Sequence, residues 1–217
     1  MKAIKRMSLR QIQRMLFSIY GERNAKLYGS SNLLLHVFEE TAVIAESFRK
    51  EDHNNLDSVI AQFLSWLLGF CNNEGIDLSD AIFAKYHGAC PYCGRPMHCM
   101  CISAETKTKK WRRQKKNVVI PDSLQVWQDM FKNIYGRVNK VAGKEKCWLH
   151  LHEELGEVSR AFRLKERVNL RDELADVFAW LVAFCNNSGI GLEFAILKRY
   201  PGRCDACGES KCKCPIA

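Results

Sequence analysis

Apolar residues recur along this chain at helical spacing. Leu151, Leu155, Val158 and Phe162 fall on one face of a helix, and Leu174, Val177, Leu181 and Phe184 do the same further on. No stretch sustains the alternation of a half-buried strand, so the pattern predicts an all-α chain. The first predicted helix spans about 9–21 and, again, 124–136; the second spans 33–49 and 148–164. The third begins after Asn55 and Asn169, both good N-cap residues, and ends near Gly75 and Gly189. A short fourth helix covers 78–86 and 192–200 and leads into cysteines.

This order occurs twice because the sequence itself does. Ser8-Leu9, Gln13, Met15 and Ile19-Tyr20-Gly21 match Ser123-Leu124, Gln128, Met130 and Ile134-Tyr135-Gly136. After a one-residue gap, His36, Glu39-Glu40 and Phe70-Cys71-Asn72-Asn73 match His150, Glu153-Glu154 and Phe184-Cys185-Asn186-Asn187. Tyr86 and Cys90 match Tyr200 and Cys204. The expectation is a tandem duplication: a repeat over 1–101, a basic linker over 102–121, and a second repeat over 122–217.

Polar positions in the second repeat carry the candidate chemistry. Glu154 and Glu157 lie side by side along the edge of one apolar stripe, and Glu173 and Asp176 along the edge of the next. A short joint, 164–170, makes the two helices neighbours, so four carboxylates face one another. A single Glu-x-x-Glu is normally a solvated helix face. Two such pairs bordering apolar stripes on adjacent helices are different, because like charges partly removed from water repel. A hard divalent cation, Mg²⁺ first, relieves that repulsion.

Glu153-Glu154-x-x-Glu157 followed by Glu173-x-x-Asp176 resembles the signature of the MazG-like, all-α nucleoside triphosphate pyrophosphatases, to which dimeric dUTPases and dCTP pyrophosphatases are related. The resemblance covers about 123–200. It implies a helical bundle that binds Mg²⁺ through Glu154, Glu157, Glu173 and Asp176 and splits a nucleotide between its α- and β-phosphates. Glu153 belongs to the motif but points away on an ideal helix. Lys198 matches a lysine common after the family's last helix, and a solvated lysine is its ordinary alternative. Asn187 returns to the carboxylate face, though helix-end asparagines are commoner than ligand contacts. Trp127, Trp148 and Trp180 are candidates for base stacking or simple core residues. Which base is hydrolysed is not legible; phosphoribosyl-ATP pyrophosphatase is a related alternative.

The first repeat lacks this set. Val43, Val59 and Gln62 stand opposite Glu157, Glu173 and Asp176; only Glu39 and Glu40 persist. Dimeric relatives build each pocket with helices from a partner. A fused pair with one spent half supplies that partner within one chain, and a homodimer of the fused pair is an open assembly.

Each repeat ends in two close cysteine pairs, Cys90-x-x-Cys93 with Cys99-x-Cys101, and Cys204-x-x-Cys207 with Cys212-x-Cys214. Four thiolates so spaced suit a tetrahedral structural Zn²⁺, with an iron–sulfur cluster or redox pair as the alternatives. Eleven cysteines without a secretory leader point to metal rather than disulfides.

The net charge of +9 gathers in the linker, at Lys107, Lys109, Lys110, Arg112, Arg113, Lys115 and Lys116. A local run around one tryptophan implies a solvated connector or phosphate steering, not sequence-specific nucleic-acid binding. No apolar run reaches membrane-spanning length, and the expected location is cytoplasmic. A non-catalytic regulator, with zinc tails and linker engaging nucleic acid or protein, is the competing class; the intact acidic quartet argues against it.

Overall fold

The structure, a computed structural model, describes residues 6–50, 55–101 and 120–215. Eight helices and no strand occur among them: α1 (Leu9–Leu27), α2 (Gly29–Arg49), α3 (Leu56–Asn73), α4 (Leu78–Tyr86), α5 (Leu124–Ala142), α6 (Lys144–Arg163), α7 (Arg167–Ser188) and α8 (Leu192–Arg199). The all-α reading of the periodicity stands. The basic linker falls almost wholly outside the described residues, at 102–119.

Local signals fix most helix ends. Ser8 caps α1 in a capping box with Gln11, and Ser123 accepts from the Val126 amide to cap α5. Gly75 and Gly189 adopt left-handed backbone where α3 and α7 stop, with φ of 63° and 70°. The joint between α6 and α7 is tighter than its sequence suggests. Lys165 takes the left-handed position (φ 59°), Glu166 donates to the Ala161 carbonyl at 2.9 Å, and α7 restarts at Arg167. Asn169 therefore lies inside the first turn of α7 rather than capping it. Asn55 is at the N-cap of α3, without a side-chain cap bond. The first and fifth helices each run six residues past their expected ends.

The chain forms two compact units, Met1–Asp77 with Gly191–Ala217, and Leu78–Ile190. Unit one holds α1–α3 and α8; unit two holds α4–α7. Helix α4 thus shares a unit with α5–α7 and α8 with α1–α3, instead of each staying with the three helices that precede it in sequence. In unit one, Ile12, Leu33, Ile44, Phe63, Phe70 and Ile196 are fully buried. In unit two, Trp127, Leu155, Val158, Phe178 and Phe184 are fully buried too.

The same polar clasp closes both. Gln13 donates to Asn72 at 3.1 Å and to the Ile76 carbonyl at 2.7 Å, while Gln128 donates to Asn186 at 3.0 Å and to the Ile190 carbonyl at 2.8 Å. Buried amides persist because their hydrogen bonds are satisfied. Each clasp ties the start of one helix to the end of another.

Two neighbouring positions on α6 test this packing in opposite directions. Leu155 is fully buried between the site glutamates, so Leu155→Ala should cost about 2–5 kcal/mol in urea unfolding. Gly156 is exposed and a Cβ there meets nothing within 4 Å, so Gly156→Ala should add about 0.5–1 kcal/mol.

Candidate active site

Helices α6 and α7 position the site through their apolar faces. Leu151, Leu155 and Val158 on one and Leu174, Val177 and Leu181 on the other are fully buried, which fixes the rotation of both helices. That rotation brings Glu154, Glu157 and Glu173 together, each with a carboxylate oxygen within 4.8 Å of the others. Glu157 is exposed, Glu154 half-buried and Glu173 only 7% exposed. Burial first, then the neighbouring Asp176, pushes the Glu154 carboxyl up to about 7. Burial also drives Glu173 to about 7, with Lys85 opposing and Glu157 and Asp176 adding to the rise.

Asp176 lies outside that group of three. Helix α4 holds it: Lys85 forms an ion pair with one oxygen, and the Tyr86 hydroxyl donates to the other at 2.6 Å. Lys85 also donates to the Asp172 carbonyl at 3.2 Å. Burial disfavours the Lys85 charge, yet Asp176 and Glu173 outweigh it and the ammonium is held above its usual range. Burial raises Asp176 against the pull of Lys85 and Tyr86.

Glu153 faces elsewhere and still connects to the site. Its Oε2 lies 2.6 Å from His150 Nδ1; the His150 ring stacks on Trp180 at 4.5 Å; Trp180 Nε1 donates to Glu154 at 3.2 Å. A relay of contacts thereby orients Glu154. Unit one repeats it, with His36 2.7 Å from Glu39, stacked on Trp66 at 4.1 Å, and Trp66 bonded to the buried Glu40. Beyond that, Val43, Val59 and Gln62 offer no carboxylate. Among the described residues, unit one gathers no comparable acidic group.

Other candidates are engaged elsewhere. Asn187 donates to the Asn139 carbonyl at 2.7 Å, closing the end of α5. Lys198 is in unit one, paired with Asp57 at 3.2 Å. Trp127 is fully buried beside Phe131, its Nε1 without a partner. Trp148 packs edge-on against His152, as a core residue. Lys85 and Tyr86 escaped the sequence reading, since neither lies near the acidic motif. Their one signal is the basic-tyrosine pair before each cysteine tail, Lys85-Tyr86 and Arg199-Tyr200.

Both cysteine tails close on themselves. The sulfurs of Cys90, Cys93, Cys99 and Cys101 lie within 4.8 Å of one another, as do those of Cys204, Cys207, Cys212 and Cys214. Separations of 3.5 Å for Cys90–Cys99, 3.8 Å for Cys93–Cys99 and 3.6 Å for Cys204–Cys212 are close to the ~3.8 Å edge of a tetrahedron with zinc–sulfur bonds of about 2.3 Å. Both sets could hold zinc. Each tail is pinned to its own unit by backbone bonds, His98 to the Asn133 carbonyl and Cys99 to the Ile134 carbonyl in one, and Cys212 to the Ile19 carbonyl in the other.

An acidic trio on adjacent helices, braced by tryptophan and bordered by a lysine, could hold a cation. Residues 143–207 match the MazG nucleotide pyrophosphohydrolase domain. The match takes in α6, α7, α8 and all five acidic residues of the motif. It leaves out Lys85 and Tyr86, which unit two adds to the MazG-like segment from earlier in the chain. No curated protein and no solved structure matches the chain significantly. No single helix among the described residues is long and apolar enough to cross a membrane.

The raised carboxyls of the MazG-like segment fix a sign. A carboxyl raised in the folded state favours folding when protonated, so that contribution is lost as pH rises from about 4.5 through about 7. Glu173→Gln should therefore raise the Tm of metal-free protein at pH 8 by a few degrees. The gain over wild type should shrink toward pH 5, as differential scanning calorimetry would record.

Proposed function

We propose that this protein is a Mg²⁺-dependent nucleoside triphosphate pyrophosphohydrolase whose catalytic centre lies in unit two. One observation carries the reading: Glu154, Glu157 and Glu173 converge their oxygens within 4.8 Å, inside a segment matching the MazG nucleotide pyrophosphohydrolase domain. Three hard oxygen donors with repelling charges fit Mg²⁺. Bound there, the ion would neutralise the triphosphate and lower the pKa of a water that attacks the α-phosphorus. The bond to the β-phosphate oxygen breaks, and a nucleoside monophosphate and pyrophosphate leave.

The chain's own residues set the geometry. Trp180, backed by His150 and Glu153, holds Glu154 in place. Glu153 is thus a positioning residue. Lys85 and Tyr86 hold Asp176 beside the trio, where its carboxylate joins the ligand set if the ammonium turns to a phosphate instead. Without an ion Glu154 and Glu173 are raised to about 7, so an ion bound there would displace the protons they carry. Asn187, Lys198 and Trp127, considered for substrate binding, gain no support from their present partners.

The same reading takes the chain as a tandem duplication with a catalytically spent first copy. The recurring clasps and the two His–Trp–Glu relays support it. Both cysteine tails are read as structural zinc knuckles. An iron–sulfur cluster spreads its four cysteines over two or more irons, whereas all four sulfurs of each tail lie within 4.8 Å of one another.

Pyrophosphate release from a panel of nucleotides with Mg²⁺ tests the assignment. Glu173→Gln should lower the rate by more than about a hundredfold, beyond the loss typical of an outer-shell change. Glu40→Gln in unit one should keep most activity. Equal damage from both, at equal helix content, would overturn the reading. So would full activity in a chain lacking residues 1–105, which has lost Lys85 and Tyr86.

A further inference from the structure

Unit one contains a cleft between α1, α3 and its cysteine tail, of about 100 Å³, several-fold more than one water or ion requires. Tyr20, Trp66 and Tyr200 give it aromatic walls, and Arg23, Asn24, Gln62 and Ser65 line it with polar groups. It exists because small residues stand where unit two carries large ones. The two units can be put in register by equivalent contacts. Tyr20 meets Tyr200 edge-on at 6.0 Å as Tyr135 meets Tyr86 at 6.3 Å, and the Ile19 and Ile134 carbonyls accept the same tail amide.

In that register Leu16 replaces Phe131, whose buried ring lies 4.9 Å from Tyr86. Ala206 replaces Tyr92, and Gly69 replaces Ala183. A Cβ on Gly69 would come within 3.1 Å of the Asn24 amide. The exchanges also add polarity: Arg23 for Val138, Ser65 for Ala179, Asp205 for Pro91.

Arg23 specifies the charge of that ligand. Among the described residues its Nε is buried without a hydrogen-bond partner; its Nη2 donates to the Pro215 carbonyl at 3.4 Å, and its guanidinium lies over Tyr28. Asp205 does not satisfy it, being taken by Arg199 at 2.7 Å and Tyr20 at 2.9 Å. A buried donor left unmade is costly, and the Nε–Nη edge of a guanidinium fits two oxygens of one phosphate. The flat aromatic walls and the amides suit a heterocycle with hydrogen-bonding edges.

We propose that this cleft is a second ligand site, which takes a nucleoside monophosphate without a divalent ion, its phosphate on Arg23 and its base against the aromatic wall. The site stands apart from the activity of unit two. Calorimetric titration in the Glu173→Gln background, with no divalent ion added, separates them. The four ribonucleoside monophosphates serve as probes, with the matching nucleosides and inorganic phosphate as controls. At least one monophosphate should bind saturably, with either half alone about tenfold weaker or worse. Arg23→Gln should weaken binding by about tenfold or more, the usual loss of a charged hydrogen bond. Leu16→Phe, which installs unit two's residue, should block the cleft while circular dichroism stays unchanged. The proposal is overturned if no monophosphate binds, if inorganic phosphate binds as tightly, or if Arg23→Gln has no effect. Binding that survives undiminished in Arg23→Gln would belong to another site and overturn the proposal in the same way. A failure to release pyrophosphate would leave this result untouched.

Discussion

Repulsion among carboxylates held against apolar helix faces is the constraint on which unit two depends. Burying Leu155 and Val158 on α6, and Leu174 and Val177 on α7, leaves the adjoining glutamates nowhere else to go. Their burial first, and then their proximity, opposes folding in the charged state, as the upward displacement of Glu154 and Glu173 records. The hydrophobic seam wins because it removes many apolar side chains from water, each contributing on the order of 1.5–3 kcal/mol. What remains is a site whose electrostatics favour a cation. The ordinary core of a helical pair thus produces an acidic cluster that could hold a cation, without dedicated loops.

Helix α4 answers part of the same constraint. Lys85 and Tyr86 reach Asp176, the one motif carboxylate that the trio leaves out, and balance its charge within the protein. In unit one the matching position is Arg199, which pairs with Asp205 and lies near enough to Glu40 to oppose the rise that burial causes there. Each unit therefore receives its cation from the fourth helix of the other sequence repeat. That arrangement sets two residues from the first half of the chain against Asp176 of unit two, even though Val43, Val59 and Gln62 stand in that half where unit two has carboxylates.

Much of this was legible in the sequence, for identifiable reasons. Period-3.6 patterning located all eight helices, because each buries a continuous stripe. The acidic spacing located Glu154, Glu157 and Glu173, because neighbours on a helix face are fixed by local geometry. The cysteine tails followed from ligand spacing alone. What escaped is non-local. Nothing near Lys85 says that it will meet Asp176, ninety-one residues away. Pairing α4 with α7 and α8 with α3 is a tertiary outcome that helical periodicity does not encode. Lys198 is a candidate only through its match to a lysine of the resembled family, whereas its partner is Asp57. The α6–α7 joint was drawn too long because Lys165, not a glycine, takes the left-handed position. The unit-one cleft was invisible for a related reason: it arises from several separate side-chain reductions that converge only in three dimensions.

The claim that the acidic trio is a divalent-cation site is tested most directly by counting protons. Two carboxyls raised to about 7 are each half-protonated at neutral pH, and a metal ion binds only their ionised forms. Adding Mg²⁺ to weakly buffered protein at pH 7, without nucleotide, should release about one proton per chain, and release should decline toward pH 9. Mg²⁺ binding without proton release, or an unchanged release from the Glu173→Gln variant, would contradict the account.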